Sequence, residues 1–417
     1  MYTFKVMLHP NNKQRTKILR TMNKCIECQN IVYDYLDSFV KNKKTFPSCG
    51  DVRKWFTTIK KAKDNEVVLK RQNMLKKEMI KNHLDTLFYD VSNDALKQMI
   101  KDTYNAFIRY FKKLGEYPNK KTYKDSKKSF YVDPFKIEIT SNKVKLEKIA
   151  NNQKANRQVL NYIKLAEVDR IPTNISYFNP RVSYDGTNFY LTVGVKDEFA
   201  PKKRKNKIVN KTIGIDLNIA TIVTSENTIY KQATKTKKYK KLNNKKKRLQ
   251  RALSRKYLAC NKDNKKNIKY SQNYKKNKSI INKLERRLTN IRDDCHKKII
   301  DDIFISPPSK IIIEDLYVKE MTDKKKRKKM TYQEKLAAKN IHTASFKKFS
   351  RLLIEKANKY NITIIKADKY YASTKKCSCC RNKKIMKIDD RTYKCDICNL
   401  IIDRDLNAAI NLANYIN

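Results

Sequence analysis

The sequence predicts a multidomain α+β protein, and three observations support this fold class. The N-terminal half combines segments of period-two alternation with long segments in which apolar residues recur at helical spacing. The C-terminal half contains continuous apolar runs, which are typical of strands covered on both faces, between further helical segments. Near the C-terminus, two C-x-x-C pairs stand fourteen residues apart, a spacing typical of a small metal-binding module.

The first predicted domain is β-rich and has the form of a small barrel. Tyr2–Leu8 alternates between apolar and polar residues and ends at His9-Pro10, where the proline stops the strand. A period of two returns after residue 128, and Asp185-Gly186 between two such segments predicts a hairpin turn. The further strands expected here are Phe130–Val132, Lys136–Thr140, Val144–Lys148, Ile175–Tyr184 and Asn188–Val195.

A helical domain is predicted between the first strand and the remaining strands. Apolar residues fall at helical spacing from Asn12 to Phe39, and more helices are expected at Asp51–Lys63, about Val68–Leu84 and Ser92–Leu114. Their apolar stripes are more typical of helix–helix packing than of a binding surface. The helices therefore interrupt the β-rich domain.

The charge of the chain predicts a polyanionic partner. Lys and Arg number 97 against 41 Asp and Glu, which gives a formal charge of +56. Such an excess repels itself unless a polyanion neutralises it, so nucleic acid is the expected partner. The hydrophobic content of 40% favours folded domains over a disordered basic tail. Neither a G-x-G-x-x-G motif nor a P-loop occurs, which argues against a Gly-rich phosphate loop.

The most basic stretch, Lys231–Asn290, contains Asp263 and Glu285 as its only acids. We expect two long helices joined by a loop near Asn261–Asn273. A solvated helical face is the alternative, but the charge density favours a face that contacts phosphates. Four interleaved tyrosines give a weaker indication of base stacking: Tyr239, Tyr257, Tyr270 and Tyr274. The expected nucleic-acid-binding residues are Lys237, Lys238, Lys245, Lys246, Lys247, Arg248, Arg251, Arg255 and Lys256.

The four cysteines of the C-x-x-C pairs are expected to bind one zinc ion. Cys377 and Cys380 form the first pair, and Cys395 and Cys398 form the second. Each pair offers two sulfurs on one side of a tetrahedral metal. Buried free thiols or two redox pairs are the alternatives, but no secretory signal supports disulfides. Cys379 is an additional thiol that could compete with its neighbours.

Three acidic residues stand where apolar elements end or begin. Asp216 and Glu314 each follow an apolar strand-like run, and Asp405 opens a short helix in which Asp403 could be the N-cap. Carboxylates brought together need a cation, and oxygen ligands select Mg²⁺ or Mn²⁺. Two such ions can activate water and stabilise the leaving oxygen of a phosphodiester. The alternative is that these acids form salt bridges in a very basic protein.

Motifs in these regions resemble those of one known family. GIDLNIATIVT from Gly214, IIIEDL from Ile311 and the CSCC, CDIC and DRDLNAAINLA segments are similar to the three RuvC-type motifs and zinc ribbon of TnpB. This family of transposon-encoded RNA-guided DNA endonucleases includes the eukaryotic and viral Fanzor proteins and is related to the type V CRISPR effectors. The stretch from Ser345 to Cys380 resembles the segment that leads into the ribbon. The resemblance extends over Met1–Asn417 and is weak between about residues 40 and 170.

The resemblance implies a domain plan and a set of site residues. It makes the β-rich region a wedge domain, the helices an inserted recognition domain, and the C-terminal half an RNase H-like RuvC nuclease domain. The expected boundaries are 1–10 and 120–205 for the wedge, 11–119 for recognition, 206–376 and 399–417 for RuvC, and 377–398 for the zinc ribbon. Asp216, Glu314 and Asp405 match the catalytic, magnesium-binding acids. The D-R-D-x-N-A-A pattern selects Asp405 rather than Asp403.

The resemblance further implies an RNA-guided DNA endonuclease with structural Zn²⁺ and catalytic Mg²⁺ or Mn²⁺. Guide RNA and target double-stranded DNA are its expected partners, and base pairing reads the target beside a short motif that the protein reads. A guide-free transposase and an accessory nucleic-acid-binding protein of a mobile element are the alternatives. Similar carboxylates could serve strand transfer, and a ribbon could merely dock nucleic acid.

The expected location follows from what the sequence lacks and from its basic runs. No apolar run approaches a membrane span and Met1–His9 lacks a signal-peptide core, so a soluble intracellular protein is expected. Pro201–Lys205 fits a nuclear import signal or a simple phosphate contact equally well. A viral or eukaryotic protein would then be nuclear, and a bacterial one would lie in the cytoplasm or nucleoid. A second basic run, Lys324–Lys329, is expected to begin a mobile segment.

Overall fold

The computed structural model describes residues 1–61, 91–122, 127–147, 161–201, 206–260, 271–314, 331–368, 371–386 and 390–415. The chain divides into two compact units, Met1–Lys202 and Lys203–Asn417. Among the helices of these residues, none is long and apolar enough to cross a membrane. The helix predicted at about Val68–Leu84, Tyr270, and the basic run Lys324–Lys329 lie outside the described residues.

The first unit is built on a seven-stranded antiparallel sheet. Its strands, β1 to β7, are Tyr2–His9, Lys128–Tyr131, Glu138–Ile139, Lys143–Lys145, Tyr162–Leu165, Phe178–Tyr184 and Phe189–Val195. Their order is β2-β6-β7-β1-β5-β4-β3. β1 pairs with β7 from Tyr2 opposite Val195 to Leu8 opposite Phe189, so the N-terminal strand lies inside the sheet. β5, which the sequence does not predict, joins β1 to β4.

Three helices of this unit share one hydrophobic core with the sheet. They are α1 (Asn12–Lys41), α2 (Cys49–Lys61) and α3 (Asn93–Phe111), close to their predicted bounds. The core joins apolar side chains of all three helices to those of the sheet strands, for example Phe107 of α3 and Leu191 of β7. The division into a recognition domain and a wedge domain, and the closure of the sheet into a barrel, stay predictions.

The second unit contains a five-stranded mixed sheet. Its strands, β8 to β12, are Val209–Leu217, Thr221–Thr224, Ile229–Lys231, Pro308–Glu314 and Thr363–Ala367, in the order β10-β9-β8-β11-β12. β8, β9 and β10 form an antiparallel meander, whereas β11 runs parallel to both β8 and β12. Parallel pairs require long crossover connections, and helices supply them here. The helices are α4 (Lys237–Cys260), α5 (Gln272–Ile303), α6 (Tyr332–Ala344) and α7 (Phe346–Tyr360).

Both faces of the central strands are covered, as their continuous apolar runs predict. Ile313 of β11 packs in a core with Phe349 and Leu353 of α7, whereas its neighbour Ile312 packs in a separate cluster with Leu412. α7 agrees with the helix that the sequence predicts at about Ala344–Tyr360. α6 is not predicted, because the stretch after the basic run Lys324–Lys329 is expected to be a mobile segment.

The C-terminal part adds a two-stranded sheet and one helix. β13 (Thr392–Lys394) pairs antiparallel with β14 (Ile401–Asp403), and α8 (Arg404–Ala413) follows directly. α8 lies against β8 at Gly214, where a Cβ atom would be 2.0 Å from the carbonyl oxygen of Ala409. Glycine is thus needed at this position for the helix backbone to rest on the strand.

Candidate functional site

Asp216 and Glu314 occupy matching positions on neighbouring parallel strands. Ile215 of β8 is opposite Ile313 of β11, so the next residues along the two strands are Asp216 and Glu314. Side chains at matching positions of parallel strands point to the same face of a sheet. This face also presents Gly214, two residues before Asp216, and it is therefore the face on which α8 lies.

Asp405 lies in the first turn of α8, near Asp216. Asp403 is the N-cap of this helix, and its Oδ1 accepts hydrogen bonds from the backbone N–H groups of Asp405 at 2.9 Å and Leu406 at 3.1 Å. The predicted capping role of Asp403 is thereby confirmed. Capping occupies Asp403, whereas Asp405 remains 8% exposed and close enough to Asp216 to act on its pKa.

The electrostatics of the site show that the three carboxylates interact. Burial raises the pKa of Asp216 well above its usual range, and the charges of Glu314 and Asp405 raise it further. Burial also raises the pKa of Glu314, and a hydrogen bond from Ser373 opposes this shift. Like charges held in a buried site repel one another, and a divalent cation would relieve the repulsion. The chemistry and charge of these donors therefore fit a hard cation such as Mg²⁺ or Mn²⁺, but the three carboxylates are not gathered as a group of ligand atoms in the way that the four cysteines are.

Salt bridges do not explain the two strand carboxylates. Asn218 donates a hydrogen bond to Asp216, and the hydroxyl of Ser373 donates to Oε1 of Glu314 at 2.7 Å. Neither carboxylate forms an ion pair with a Lys or Arg side chain of the described residues, although the charge of Arg404 lowers the pKa of Asp216. Asp405 differs, because Nε of Arg404 lies 3.5 Å away and Nη1 of Arg391 lies 3.9 Å away.

Two buried asparagines that sequence reasoning missed connect α8 to the segment before the cysteines. Asn407 and Asn411 are 0% and 3% exposed. Asn407 donates to the carbonyl of Lys376 at 2.7 Å and accepts from the N–H of Ser378 at 2.9 Å. Asn411 donates to the carbonyls of Ser373 at 2.8 Å and Lys376 at 2.6 Å. The sequence did contain a signal for them, because the two asparagines stand four residues apart in a helix that is otherwise apolar after Arg404 and Asp405.

The four predicted cysteines come together. Sγ of Cys377 lies 3.6 Å from that of Cys398, and Sγ of Cys380 lies 3.4 Å from that of Cys395. All four sulfurs lie within 4.8 Å of one another, and of the residues that the structure describes this is the one group of possible metal ligands so gathered. Tetrahedral zinc with Zn–S bonds of about 2.3 Å separates its sulfurs by about 3.8 Å. The cluster can therefore hold a metal ion such as zinc.

Hydrogen bonds from backbone N–H groups lower the pKa of both thiols of the second pair. The N–H of Leu400 lowers the pKa of Cys398 to about 6, and the N–H groups of Cys398 and Ile397 lower the pKa of Cys395. Cys380 behaves differently: although the N–H of Asn382 opposes the shift, burial and the neighbouring thiols raise its pKa to about 12. Thiolate is the metal-binding form, so the lowered pKa values of Cys395 and Cys398 favour ligation by the second pair, whereas the raised pKa of Cys380 opposes it.

The basic helix α4 exposes most of the residues predicted to bind nucleic acid. Seven are exposed, whereas Lys246 and Lys256 are half-buried. Lys246 forms an ion pair with Glu285 of α5 at 2.6 Å, and it is alone among the nine in having an acidic partner within the described residues. Lys247, Arg251 and Arg255 recur every four residues and line an open groove that Lys339 of α6 also lines. Tyr239 is buried and so belongs to the core.

Together these features define a multidomain α/β protein with a four-cysteine cluster that could hold a metal ion and a group of interacting carboxylates. Comparisons with known proteins match the same regions. A model of the Cas12f1-like TNB domain matches residues 346–412, and a model described as "Probable transposase" (OrfB of IS605) matches residues 191–325.

Several curated proteins are similar to this chain. A Mycobacterium tuberculosis protein provisionally named an RNA-guided DNA endonuclease is 25% identical over 237 residues, which cover 56% of this chain and 48% of the relative. The mimivirus TnpB-like protein L79 is 30% identical over 142 residues, which cover 34% of this chain and 26% of the relative. The chain thus spans half or less of the length of these relatives. A Streptomyces pristinaespiralis protein with the same provisional name is 22% identical over 98% of this chain and 88% of its own.

Two solved complexes are also similar at low identity. The Cas12f1–sgRNA–target DNA complex matches 99% of this chain and 98% of its own at 16% identity, with a TM-score of 0.32. A CRISPR-Cas12f ternary complex matches 96% of this chain and 81% of its own at 15% identity, with a TM-score of 0.35. Superposition at this level is too loose to assign the fold. Parts of the chain are thus similar to the two family models and to TnpB-like relatives.

Proposed function

We propose that this protein is an RNA-guided DNA endonuclease that binds a guide RNA and cleaves complementary double-stranded DNA beside a short motif. The observation that supports this most strongly is that Asp216, Glu314 and Asp405, from two strands and a helix distant in sequence, lie near enough together for the charges of Glu314 and Asp405 to act on Asp216. The names of the relatives agree with this kind of activity. The same observation supports the proposal that these acids are catalytic residues of a single RuvC-type centre in an RNase H-like unit.

The three carboxylates would hold Mg²⁺ or Mn²⁺, which when bound activates water and stabilises the leaving oxygen of a phosphodiester. The chain's own contribution is to position these ligands. Pairing of β8 with β11 fixes Asp216 beside Glu314, and the hydroxyl of Ser373 orients the Glu314 carboxylate. The Asp403 cap fixes the first turn of α8 and hence Asp405. Preorganised ligands of this kind do not need to rearrange during reaction.

The four cysteines would hold a structural zinc ion as a ribbon. Their closed arrangement leaves no protein ligand missing, which is the property of structural rather than catalytic zinc sites. The position of the ribbon immediately before α8 means that zinc binding and the fold of the helix that presents Asp405 are linked in the chain.

The exposed face of α4 would contact the phosphates of the guide RNA or the target DNA. Its stripe of Lys247, Arg251 and Arg255 lines a groove whose described lining residues include no acid, and Lys339 extends the stripe across this groove. Cations at four-residue spacing follow one side of a helix, so they can track a phosphate backbone. Lys246 is paired with Glu285 and is expected to contribute less.

A cleavage assay with purified protein, a matched guide RNA and a DNA target tests this function. We expect Mg²⁺-dependent cleavage of matched DNA that Asp216→Ala abolishes while RNA binding persists. Thr228→Ala, in the exposed turn between β9 and β10 of the same sheet, is the matched control and should cleave normally. Cleavage retained by Asp216→Ala would contradict the site assignment.

A guide-free transposase is the second candidate, because one matching family model is described as "Probable transposase". It predicts joining of transposon ends by the protein and a divalent cation alone. The same reaction mixture without RNA distinguishes the two candidates. Joined DNA products would favour the transposase, whereas cleavage that depends on matched RNA would favour the endonuclease.

A further inference from the structure

We propose that Ser373, Asn407 and Asn411 are positioning residues that couple metal occupancy of the four-cysteine cluster to cation affinity at the carboxylate site. The proposal rests on the proposed function, because it requires a cation held by the three carboxylates. It assigns a role to side chains that neither ligate a metal nor carry a charge.

Asn407 holds the backbone on both sides of the first cysteine. Its amide donates to the carbonyl of Lys376 and its oxygen accepts from the N–H of Ser378, so the two bonds flank Cys377. Cys377 and Asn407 are both 0% exposed. A buried amide has no water to replace these partners, so the bonds fix the position of the first C-x-x-C relative to α8.

Asn411, one turn further along α8, continues the connection toward the carboxylates. Its amide bridges the carbonyls of Ser373 and Lys376. The hydroxyl of Ser373, a residue only 2% exposed, donates to Oε1 of Glu314 at 2.7 Å. A chain of hydrogen bonds therefore runs from a candidate metal-binding carboxylate to the backbone beside a candidate zinc ligand.

The same short segment, residues 373–378, thus meets three partners at once. Its Ser373 donates a hydrogen bond to Glu314, its backbone accepts hydrogen bonds from the asparagines of α8, and it contains Cys377, the first cysteine of the cluster. Metal binding by the four cysteines closes the loop that follows this segment and limits the positions that the segment can take. Binding at two sites that share one bonded segment is coupled, and the coupling acts in both directions.

A purely structural role for these hydrogen bonds makes a different prediction. If they only stabilise the fold, their loss lowers the unfolding temperature and leaves cation affinity unchanged. If they position the ligands, cation affinity falls even in a folded protein that retains its zinc. Groups that orient metal ligands typically change metal affinity or activity by about 10- to 100-fold.

The test uses the full-length protein, with Mn²⁺ binding followed by electron paramagnetic resonance and zinc content measured in parallel. We expect Asn411→Ala and Ser373→Ala to retain zinc and to bind Mn²⁺ about 10- to 100-fold more weakly than the wild type. Asn414→Ala, an exposed change at the C-cap of the same helix, and Leu353→Ala, a buried destabilising change on α7, are the controls and should bind Mn²⁺ normally. Removing zinc from the wild type should weaken Mn²⁺ binding by a similar factor.

The outcomes separate this proposal from the proposed function. If Asn411→Ala does not fold, Ser373→Ala decides the question, because it deletes a single hydroxyl. Normal Mn²⁺ affinity in zinc-loaded Ser373→Ala, with binding lost in Asp216→Ala, overturns the coupling and leaves the carboxylate site intact. Wild-type Mn²⁺ binding that is absent, or that Asp216→Ala does not change, overturns both the carboxylate site and the coupling.

Discussion

Replacing Gly214 with alanine should displace the helix that presents Asp405. A Cβ atom at this position would lie 2.0 Å from the carbonyl oxygen of Ala409 and 2.4 Å from the backbone nitrogen of Ala413. Real Cβ atoms essentially never approach another heavy atom closer than 3.0 Å, so α8 must move away from β8 by at least about 1 Å. The obstructing atoms belong to the backbone, which cannot turn aside as a side chain could.

The expected cost can be separated into stability and ligand geometry. Overpacking of this kind costs about 1–3 kcal/mol. For a unit of this size that lowers the unfolding temperature by roughly 2–12 °C. A displacement of about 1 Å at a reactive site lowers activity on the order of 100-fold. The loss of cleavage should therefore exceed what the loss of folded protein explains.

Calorimetry and single-turnover cleavage, both measured below the unfolding temperature of the variant, are the suitable assays. Gly50→Ala is the matched control, because a Cβ atom there would meet only the hydroxyl of Ser48 at 3.5 Å. It should leave cleavage unchanged and should not lower the unfolding temperature, because alanine is favoured over glycine within a helix such as α2. A Gly214→Ala protein with wild-type unfolding temperature and wild-type cleavage would refute the inferred contact between α8 and β8.

Three further predictions concern the metal sites and the basic helix. Cys395→Ser should lose zinc and unfold at lower temperature, whereas Cys379→Ser should keep both properties, as zinc analysis with calorimetry would reveal. Asp216→Asn should raise the stability of the cation-free protein at neutral pH. Because the pKa of Asp216 is raised in the folded state, the free energy of unfolding of the wild type falls as pH rises through that pKa. Denaturant titrations at several pH values should show a smaller fall for the variant than for the wild type. Arg251→Ala should lower the salt dependence of RNA or DNA binding by about one unit of slope, whereas Lys298→Ala, which removes an exposed cation already paired with Asp294, should leave the slope unchanged.

The elements that the sequence predicted well are those with a strong local period. The apolar stripes of α1 and α3 and the continuous apolar run of β11 agree with the structure within a few residues. The spacing of the four cysteines also sufficed, because a C-x-x-C pair brings its own two sulfurs together locally and only the two pairs had to meet. The gathering of their sulfurs confirms that part of the expectation.

The missed features depend on contacts between distant residues. β5 is only four residues long, and it is a strand because β1 and β4 lie on either side of it. The bonds made by Asn407 and Asn411 go to backbone carbonyls more than 30 residues away, which no local pattern reports. The sequence predicted that three acids end or begin apolar elements. Their proximity follows from the register of β8 against β11 and from the contact at Gly214.

Sequencing the RNA that stays bound to the protein after purification at high salt tests the central proposal most directly. An RNA-guided endonuclease should retain one discrete structured RNA, with a constant scaffold joined to a guide segment whose complement defines the DNA target. Finding no RNA, or a heterogeneous mixture of cellular fragments, would contradict RNA guidance. Asp216, Glu314 and Asp405 would then need testing on DNA alone.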